Sequence, residues 1–153
     1  MKKNAMKNID WKIVKMLEKK ATDIDHKLHF NPHKYCKELD EKMMQFRSTR
    51  NCKYMTNYHY VWCARGRVKI LILEARMLLR EYIEALCKSK EWIPFAIEPM
   101  PDHIHLFLST KQHREKVMGV LKGATSSFLK YCFPIYDKAL TGGGIWSRSY
   151  YMG

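Results

Sequence analysis

The most informative segment of the chain is residues 100–109, Met-Pro-Asp-His-Ile-His-Leu-Phe-Leu-Ser. A Pro-Asp pair, which favours a turn, is followed by alternating polar and apolar residues. In an extended strand alternate side chains point to the same face, so His103 and His105 share one side while Ile104 faces the other. The segment therefore predicts a strand of a half-buried sheet, 103–109, that follows a turn and presents two imidazoles together.

The two imidazoles form a candidate metal site. Alternate Cα atoms of a strand lie about 6.5 to 7 Å apart. Two neutral ring nitrogens at that spacing can therefore hold one divalent cation if a third ligand arrives from elsewhere. The alternative is a strand whose polar face carries two histidines and no metal. The residue types alone leave both interpretations open.

The surrounding segments predict the fold. Strand patterns cover 53–64, 92–100 and 145–152, and helical periodicity covers 72–88 and 114–131. With the strand at 103–109 the order is βαββαβ, which is typical of a ferredoxin-like α+β fold with two helices on one face of an antiparallel sheet. RNA-recognition domains share this order, so the fold alone does not decide the function.

The first 50 residues differ in character from the rest, and we expect two domains: an N-terminal helical extension, 1–50, and a main domain, 51–153. Apolar residues recur at helical spacing from residue 9 to 17, and Asn31-Pro32 resembles the start of a second helix. The apolar side of that second helix would carry Tyr35, Leu39, Met43 and Phe46. Its role is open between gripping DNA, covering a sheet edge and supporting dimerisation, with a packed helical arm as the structural alternative.

The composition indicates the kind of binding partner and the cellular compartment. The chain has 153 residues and a formal net charge of +13, from 28 Lys and Arg against 15 Asp and Glu, which indicates a polyanionic partner, nucleic acid first. It has no 18-residue apolar run and no signal peptide, so we expect no membrane partner. Its five cysteines show no Cys-x-x-Cys spacing, which is typical of a protein of the reducing cytoplasm.

Three motifs together carry a family resemblance. They are Asn-Tyr-His-Tyr-Val-Trp at 57–62, Met-Pro-Asp-His-Ile-His-Leu-Phe at 100–107 and Ile-Trp-Ser-Arg-Ser-Tyr-Tyr at 145–151. In this order and spacing the chain resembles the HUH single-tyrosine transposases, the transposase A enzymes of small insertion sequences that move as single-stranded DNA. The resemblance covers about residues 48–153.

The resemblance implies a function and a set of partners. It implies a DNA transposase that nicks and rejoins single-stranded transposon ends by a metal-assisted tyrosine attack. His103 and His105 would be the metal ligands, the cofactor would be Mg²⁺ or Mn²⁺, and the protein would form a homodimer.

The sequence departs from the family in one respect. The family carries its attacking tyrosine and third metal ligand on a helix after the last strand, so we expect both beyond Gly153 and assign no catalytic residue. Tyr150 and Tyr151 match strand positions and not the nucleophile. The chain is therefore expected to be truncated and inactive. The alternatives are a catalytically inactive remnant or regulator that binds single-stranded nucleic acid, and a hydrolytic or metal-storage domain that uses the two histidines alone.

Several basic and aromatic residues are candidates for DNA contact. The basic ones are Arg65, Arg67 and Lys69 after the first strand, Lys122 and Lys130 on the second helix, and Arg148 on the last strand. The alternative is a solvated basic face. The aromatic ones, Tyr54, Tyr58, Tyr60 and Trp62, share one side of their strand and would either stack on unpaired bases or form the packed face of the sheet.

Three further residues lie near the predicted metal site. His59 would either approach the metal from a neighbouring strand or be a packed or hydrogen-bonded histidine, and the sequence favours the second. Asp102 would either accept a proton from a ligand histidine or make the turn. Glu98 would either approach the metal or be solvated.

Overall fold

The structure, a computed structural model, describes residues 9–25, 47–49, 52–54, 57–141 and 144–153. The helices are α1 (Trp11–Asp25), α2 (Leu73–Ser89), α3 (Arg114–Cys132) and α4 (Ile135–Ala139), with a 3₁₀ turn at Arg65–Arg67. The strands are β1 (Arg47–Thr49), β2 (Cys52–Tyr54), β3 (Asn57–Ala64), β4 (Ile93–Pro99), β5 (His103–Ser109) and β6 (Trp146–Met152).

The main sheet has the order β4-β5-β3-β6, and all its pairings are antiparallel. With α2 between β3 and β4 and α3 between β5 and β6, this is the predicted βαββαβ arrangement, and the α+β, ferredoxin-like prediction is confirmed. The short helix α4 was not predicted.

One face of the sheet forms the core. Tyr60 and Trp62 of β3 are fully buried, as are Ile104 and Leu106 of β5, and they join one apolar cluster with residues of α2 and α3 such as Leu79. Tyr58 packs against the same cluster. The aromatic residues of β3 are therefore the packed face of the sheet and not a base-stacking surface, and the side chain of Tyr54 lies outside the described residues.

The helix α1 packs into the same core. Val14 and Leu17 are buried there, and the buried guanidinium of Arg76 donates from Nη2 to the carbonyl of Ala21 at 3.2 Å. The N-terminal extension therefore contributes apolar side chains to the main domain. The predicted second helix lies outside the described residues.

The strand β1 falls within the segment predicted to be helical. It pairs antiparallel with β2, with Ser48 opposite Lys53, in a separate two-stranded sheet. The helical prediction was therefore wrong for Arg47–Thr49. A strand of three residues is too short to show a recognisable alternation of polar and apolar residues in the sequence.

A bulge interrupts β6. Trp62 pairs with Tyr150 and Ala64 with Trp146, so the single residue Cys63 lies opposite residues 147–149. Lys122 of α3 fills this bulge, since its Nζ donates to the carbonyls of Ser147, Arg148 and Ser149 at 2.8, 3.2 and 3.1 Å. The bulge is thus tied to the helix behind it.

Among the described helices, none is long and apolar enough to cross a lipid bilayer.

Candidate metal centre and nucleic-acid surface

His103 and His105 lie on the face of the sheet opposite the core. Both side chains are half-buried, while the residues on either side of His105 in β5 are fully buried below. The Nε2 atoms of the two rings are 2.9 Å apart, and the ring planes make an angle of 78°. The alternation of β5 thus aims two ring nitrogens at one point, as the sequence predicted.

Asp102 fixes the orientation of the first ring. Its Oδ1 lies 2.5 Å from Nδ1 of His103, on the side of the ring away from His105. Its backbone carbonyl accepts a hydrogen bond from the N–H of Ala64 at 2.8 Å. Asp102 therefore does both things the sequence suggested, because its backbone joins the turn to β3 while its side chain orients a histidine.

His59 lies against the second ring. Its Nε2 is 3.0 Å from Nδ1 of His105, and the two rings are nearly parallel, with centroids 5.1 Å apart. The ring of Tyr151 also approaches His59 edge-on, with centroids 6.5 Å apart. His59 is thus a hydrogen-bonded histidine, as the sequence favoured, and its partner is a candidate metal ligand.

The sequence favoured a hydrogen-bonded His59 but did not identify His105 as its partner, although a signal for that contact existed. The predicted fold places the first strand of the βαββαβ unit beside the third, and the observed register sets Val61 opposite His105. His59 is two residues from Val61, so it lies diagonally across from His105 on the same face. The contact follows from strand order and register and not from spacing along the chain.

The surroundings favour a neutral His105. Burial lowers the pKa of His105, and the neighbouring rings of His103 and His59 lower it further. A neutral imidazole has a free lone pair, which is the form that binds metals.

The described residues bring two ring nitrogens together but do not form a complete metal site. Within the described segments, no group of three or more His, Cys, Asp or Glu side chains is arranged to hold a metal ion. The geometry gives the reason, since His105 turns Nε2 to His103 but Nδ1 to His59, and the three rings cannot meet at one point. The pair still fits a divalent ion that takes its remaining ligands from elsewhere.

Glu98 is held away from the histidines. It lies opposite His105 in the register of β4 and β5, but its Oε1 accepts a hydrogen bond from Nη2 of Arg80 at 3.0 Å. This ion pair sits at the edge strand, and the carboxylate is engaged by Arg80.

The predicted DNA-contacting residues fall into three groups. Two lysines are engaged within the protein, because Lys122 binds the carbonyls of the bulge and Nζ of Lys130 lies 3.4 Å from a carboxylate oxygen of Asp137. Arg65 is partly engaged, since its Nη2 donates to the carbonyl of Thr141 at 3.0 Å and burial lowers its pKa. Arg67 and Arg148 are exposed, as is Lys69.

The arginines lie at the same end of the sheet as His103. The strand β3 ends there at Ala64, which is hydrogen-bonded to Asp102, and the N–H of Arg65 donates to the carbonyl of Ile145 at 2.7 Å. Cys63 is opposite His103 on one side and opposite the bulge that contains Arg148 on the other. With neighbouring strands about 4.8 Å apart, the backbones of Arg148 and His103 are about 10 Å from each other.

Comparison with known proteins is consistent with this geometry. Residues 52–153 match the model of the family described as "Transposase IS200 like". The chain is 28% identical over 109 residues to the ISDra2 transposase TnpA of Deinococcus radiodurans, a match that covers 70% of this chain and 78% of that protein. It is also similar to a crystal structure at 1.90 Å resolution of a candidate transposase from D. radiodurans R1, with a TM-score of 0.63, 28% identity and coverage of 70% of this chain and 84% of that one. The chain therefore belongs to the IS200-like transposase family.

Proposed function

We propose that this transposase is of the HUH type, and that it nicks and rejoins single-stranded DNA with the help of a divalent metal held by His103 and His105. The observation that carries the proposal is the 2.9 Å separation of the two Nε2 atoms on the open face of the sheet. Transposases of this family generally use a divalent metal. Mg²⁺ or Mn²⁺ would supply positive charge that polarises the scissile phosphate.

The residues of this chain would prepare the site for that ion. Asp102 keeps the ring of His103 turned so that Nε2 faces outward, because the carboxylate holds the opposite nitrogen. The half-buried position of His105 keeps its ring neutral and available. The proposal assigns neither the third ligand nor the attacking tyrosine to a residue named here.

The DNA would lie across the end of the sheet where the histidines meet the arginines. The exposed Arg67 and Arg148 would bind phosphates next to the one held at the metal. Lys122 and Lys130 contribute less in this proposal, because their ammonium groups already have partners in the protein.

We also propose a homodimer that forms through the edges of the sheet, where β4 and β6 each leave one side unpaired within it. Light scattering at micromolar concentration tests the dimer, and a monomeric mass would overturn that part.

Metal binding tests the histidine assignment directly. We expect Mn²⁺ binding, followed by electron paramagnetic resonance, to be weak in the wild type because the described residues supply two ligands. It should be lost in His103→Ala and His105→Ala. His113→Ala is the matched control, since this exposed histidine precedes α3 and should leave binding unchanged. Equal Mn²⁺ binding by the wild type and the double variant His103→Ala/His105→Ala would overturn the metal assignment.

DNA binding tests the surface. By fluorescence anisotropy we expect a single-stranded oligonucleotide to bind more tightly than its duplex, with an affinity that falls as salt rises. Removing one phosphate contact with Arg148→Ala should reduce the slope of log K against log salt by about 0.7. Lys130→Ala, a loss of the same charge at an ion-paired site, should change the slope by less. Equal effects of the two variants would argue against the proposed path.

A covalent-adduct assay distinguishes the enzyme from a remnant that only binds nucleic acid. We expect no adduct between these 153 residues and single-stranded DNA on a denaturing gel, because Tyr150 and Tyr151 lie on the strand β6 and match strand positions of the family, not its nucleophile. An adduct would overturn that expectation and would identify a nucleophile within the chain.

A further inference from the structure

Four side chains form a continuous line of short contacts across β3 and β5. Oδ1 of Asp102 lies 2.5 Å from Nδ1 of His103, and Nε2 of His103 lies 2.9 Å from Nε2 of His105. The line then passes through the ring of His105 and leaves from Nδ1, which lies 3.0 Å from Nε2 of His59. The metal hypothesis uses the first three residues and gives no role to the fourth.

The protons on this line are constrained. Each contact between two ring nitrogens needs one hydrogen, and each neutral imidazole carries one. An ionised Asp102 accepts from Nδ1 of His103, which leaves Nε2 of His103 as an acceptor. His105 must then donate from Nε2, so its Nδ1 is bare and accepts from Nε2–H of His59. For neutral rings beside an ionised carboxylate, this assignment alone satisfies every contact.

That metal-free arrangement is not the one that binds a cation. An ion between the two Nε2 atoms needs a lone pair from both rings, but His105 carries its proton on Nε2. The proton must therefore move to Nδ1, where it needs an acceptor. Nε2 of His59 lies 3.0 Å from that position and becomes an acceptor once the proton of His59 resides on its own Nδ1.

We propose that His59 is a positioning residue for His105, and that it holds the outward Nε2 of His105 bare by accepting a hydrogen bond from Nδ1–H. The inference rests on the proposed metal function. It gives the two ligand histidines equivalent supports, since Asp102 binds the inner nitrogen of His103 as His59 binds the inner nitrogen of His105. Outer partners of this kind fix the tautomer and the ring orientation of metal-bound histidines.

Two substitutions separate this role from simple packing. His59→Phe keeps a flat ring against His105 but removes both nitrogens, whereas His59→Gln loses the ring and keeps an amide oxygen that accepts a hydrogen bond. A packing role predicts that Phe is the milder change. The positioning role predicts that Gln is the milder change, and circular dichroism of each variant verifies that the fold is retained.

The first readout is metal affinity, with Zn²⁺ as the probe because imidazole binds it well and it is diamagnetic. We expect His59→Phe to weaken Zn²⁺ binding about 10- to 100-fold, the usual effect of losing an outer partner, and His59→Gln to stay within about threefold of the wild type. Unchanged affinity in His59→Phe would overturn the inference and leave the metal assignment intact. The inference would also be overturned if His103→Ala abolished Zn²⁺ binding but His59→Gln weakened that binding more than His59→Phe.

The second readout is the tautomer itself, from nitrogen-15 spectra of the histidine rings at a pH where they are neutral. Without metal, His105 should carry its proton on Nε2, and with Zn²⁺ on Nδ1. His103 is the internal control, because its partner Asp102 is untouched and its proton should stay on Nδ1 throughout. With Zn²⁺ bound, His59 should carry its proton on Nδ1, because only then can its Nε2 accept a hydrogen bond from His105. A Zn²⁺-bound protein in which His59 keeps its proton on Nε2 would overturn the inference and leave the metal assignment intact, so the failure of the inference and that of the proposed function are distinguishable.

Discussion

Replacing Lys122 by methionine should destabilise the protein through the bulge of β6. The ammonium group donates to three consecutive carbonyls, at 2.8, 3.2 and 3.1 Å, and also lies 5.4 Å from the centre of the Tyr150 ring. Methionine has a similar length and no donor. The Lys122→Met variant would leave the three carbonyls dependent on solvent.

The magnitude follows from the contacts. A hydrogen bond to a charged group contributes about 1.5 to 3 kcal/mol, so three independent bonds would give about 4.5 to 9 kcal/mol. The net loss must be smaller, because the three share one partner and the site is half-buried, so water replaces part of the interaction. Burial also lowers the pKa of Lys122, which means that the charge is partly desolvated and methionine avoids that cost. We therefore expect a loss of about 2 to 3 kcal/mol in the free energy of unfolding.

Urea unfolding at pH 7, followed by tryptophan fluorescence, measures this loss. The matched control is Lys130→Met, which makes the same chemical change on the same helix. Lys130 forms one ion pair with Asp137, whose side chain is 67% exposed, so its loss should cost about 0 to 1 kcal/mol. If both variants unfold at the same urea concentration with equal slopes, the reasoning that Lys122 holds the bulge is refuted.

Three further outcomes test the fold. Gly66→Ala should lower the free energy of unfolding by about 1 kcal/mol, because the residue has φ of +70°. Gly123→Ala, in α3 with no atom near the added methyl, should raise it by up to about 1 kcal/mol. Changes of the same sign for the two variants in urea unfolding would contradict this. Thr125→Val leaves a buried indole N–H without its acceptor and should cost about 1 to 3 kcal/mol by thermal unfolding, and Thr125→Ser, which keeps the hydroxyl, should cost less. Burial raises the pKa of Cys87 to about 12. Iodoacetamide at pH 8 should therefore label Cys132 and spare Cys87 in the folded protein. Equal labelling of the two cysteines by mass spectrometry would count against a buried Cys87 thiol.

The sequence predicted the main sheet because its signals are local. Alternation fixed β5 at its observed bounds, and helical periodicity placed α2 and α3 within one residue of each end. The same alternation showed which face the two histidines occupy. It could not show whether the aromatic residues of β3 face the core, because stacking surfaces and packed faces have the same pattern.

The rest of the site depends on contacts between distant residues. His59 and His105 are 46 residues apart, and they meet only through the register of β3 with β5. Lys122 was predicted to contact DNA because it is basic and lies beside small residues, but a lysine that reaches backbone carbonyls has no sequence pattern. The β1–β2 pair was missed for a similar reason, since three-residue strands carry too little periodicity.

The position of the histidine pair within the sheet has a thermal consequence. Both β5 and β3 are interior strands, each flanked by a neighbour on either side, and such strands open only when the whole domain unfolds. Warming will fray the outer strands first while the spacing of the two rings stays unchanged. The capacity to hold a cation should therefore vanish in a single step at the melting temperature, with no gradual loss in the degrees below it.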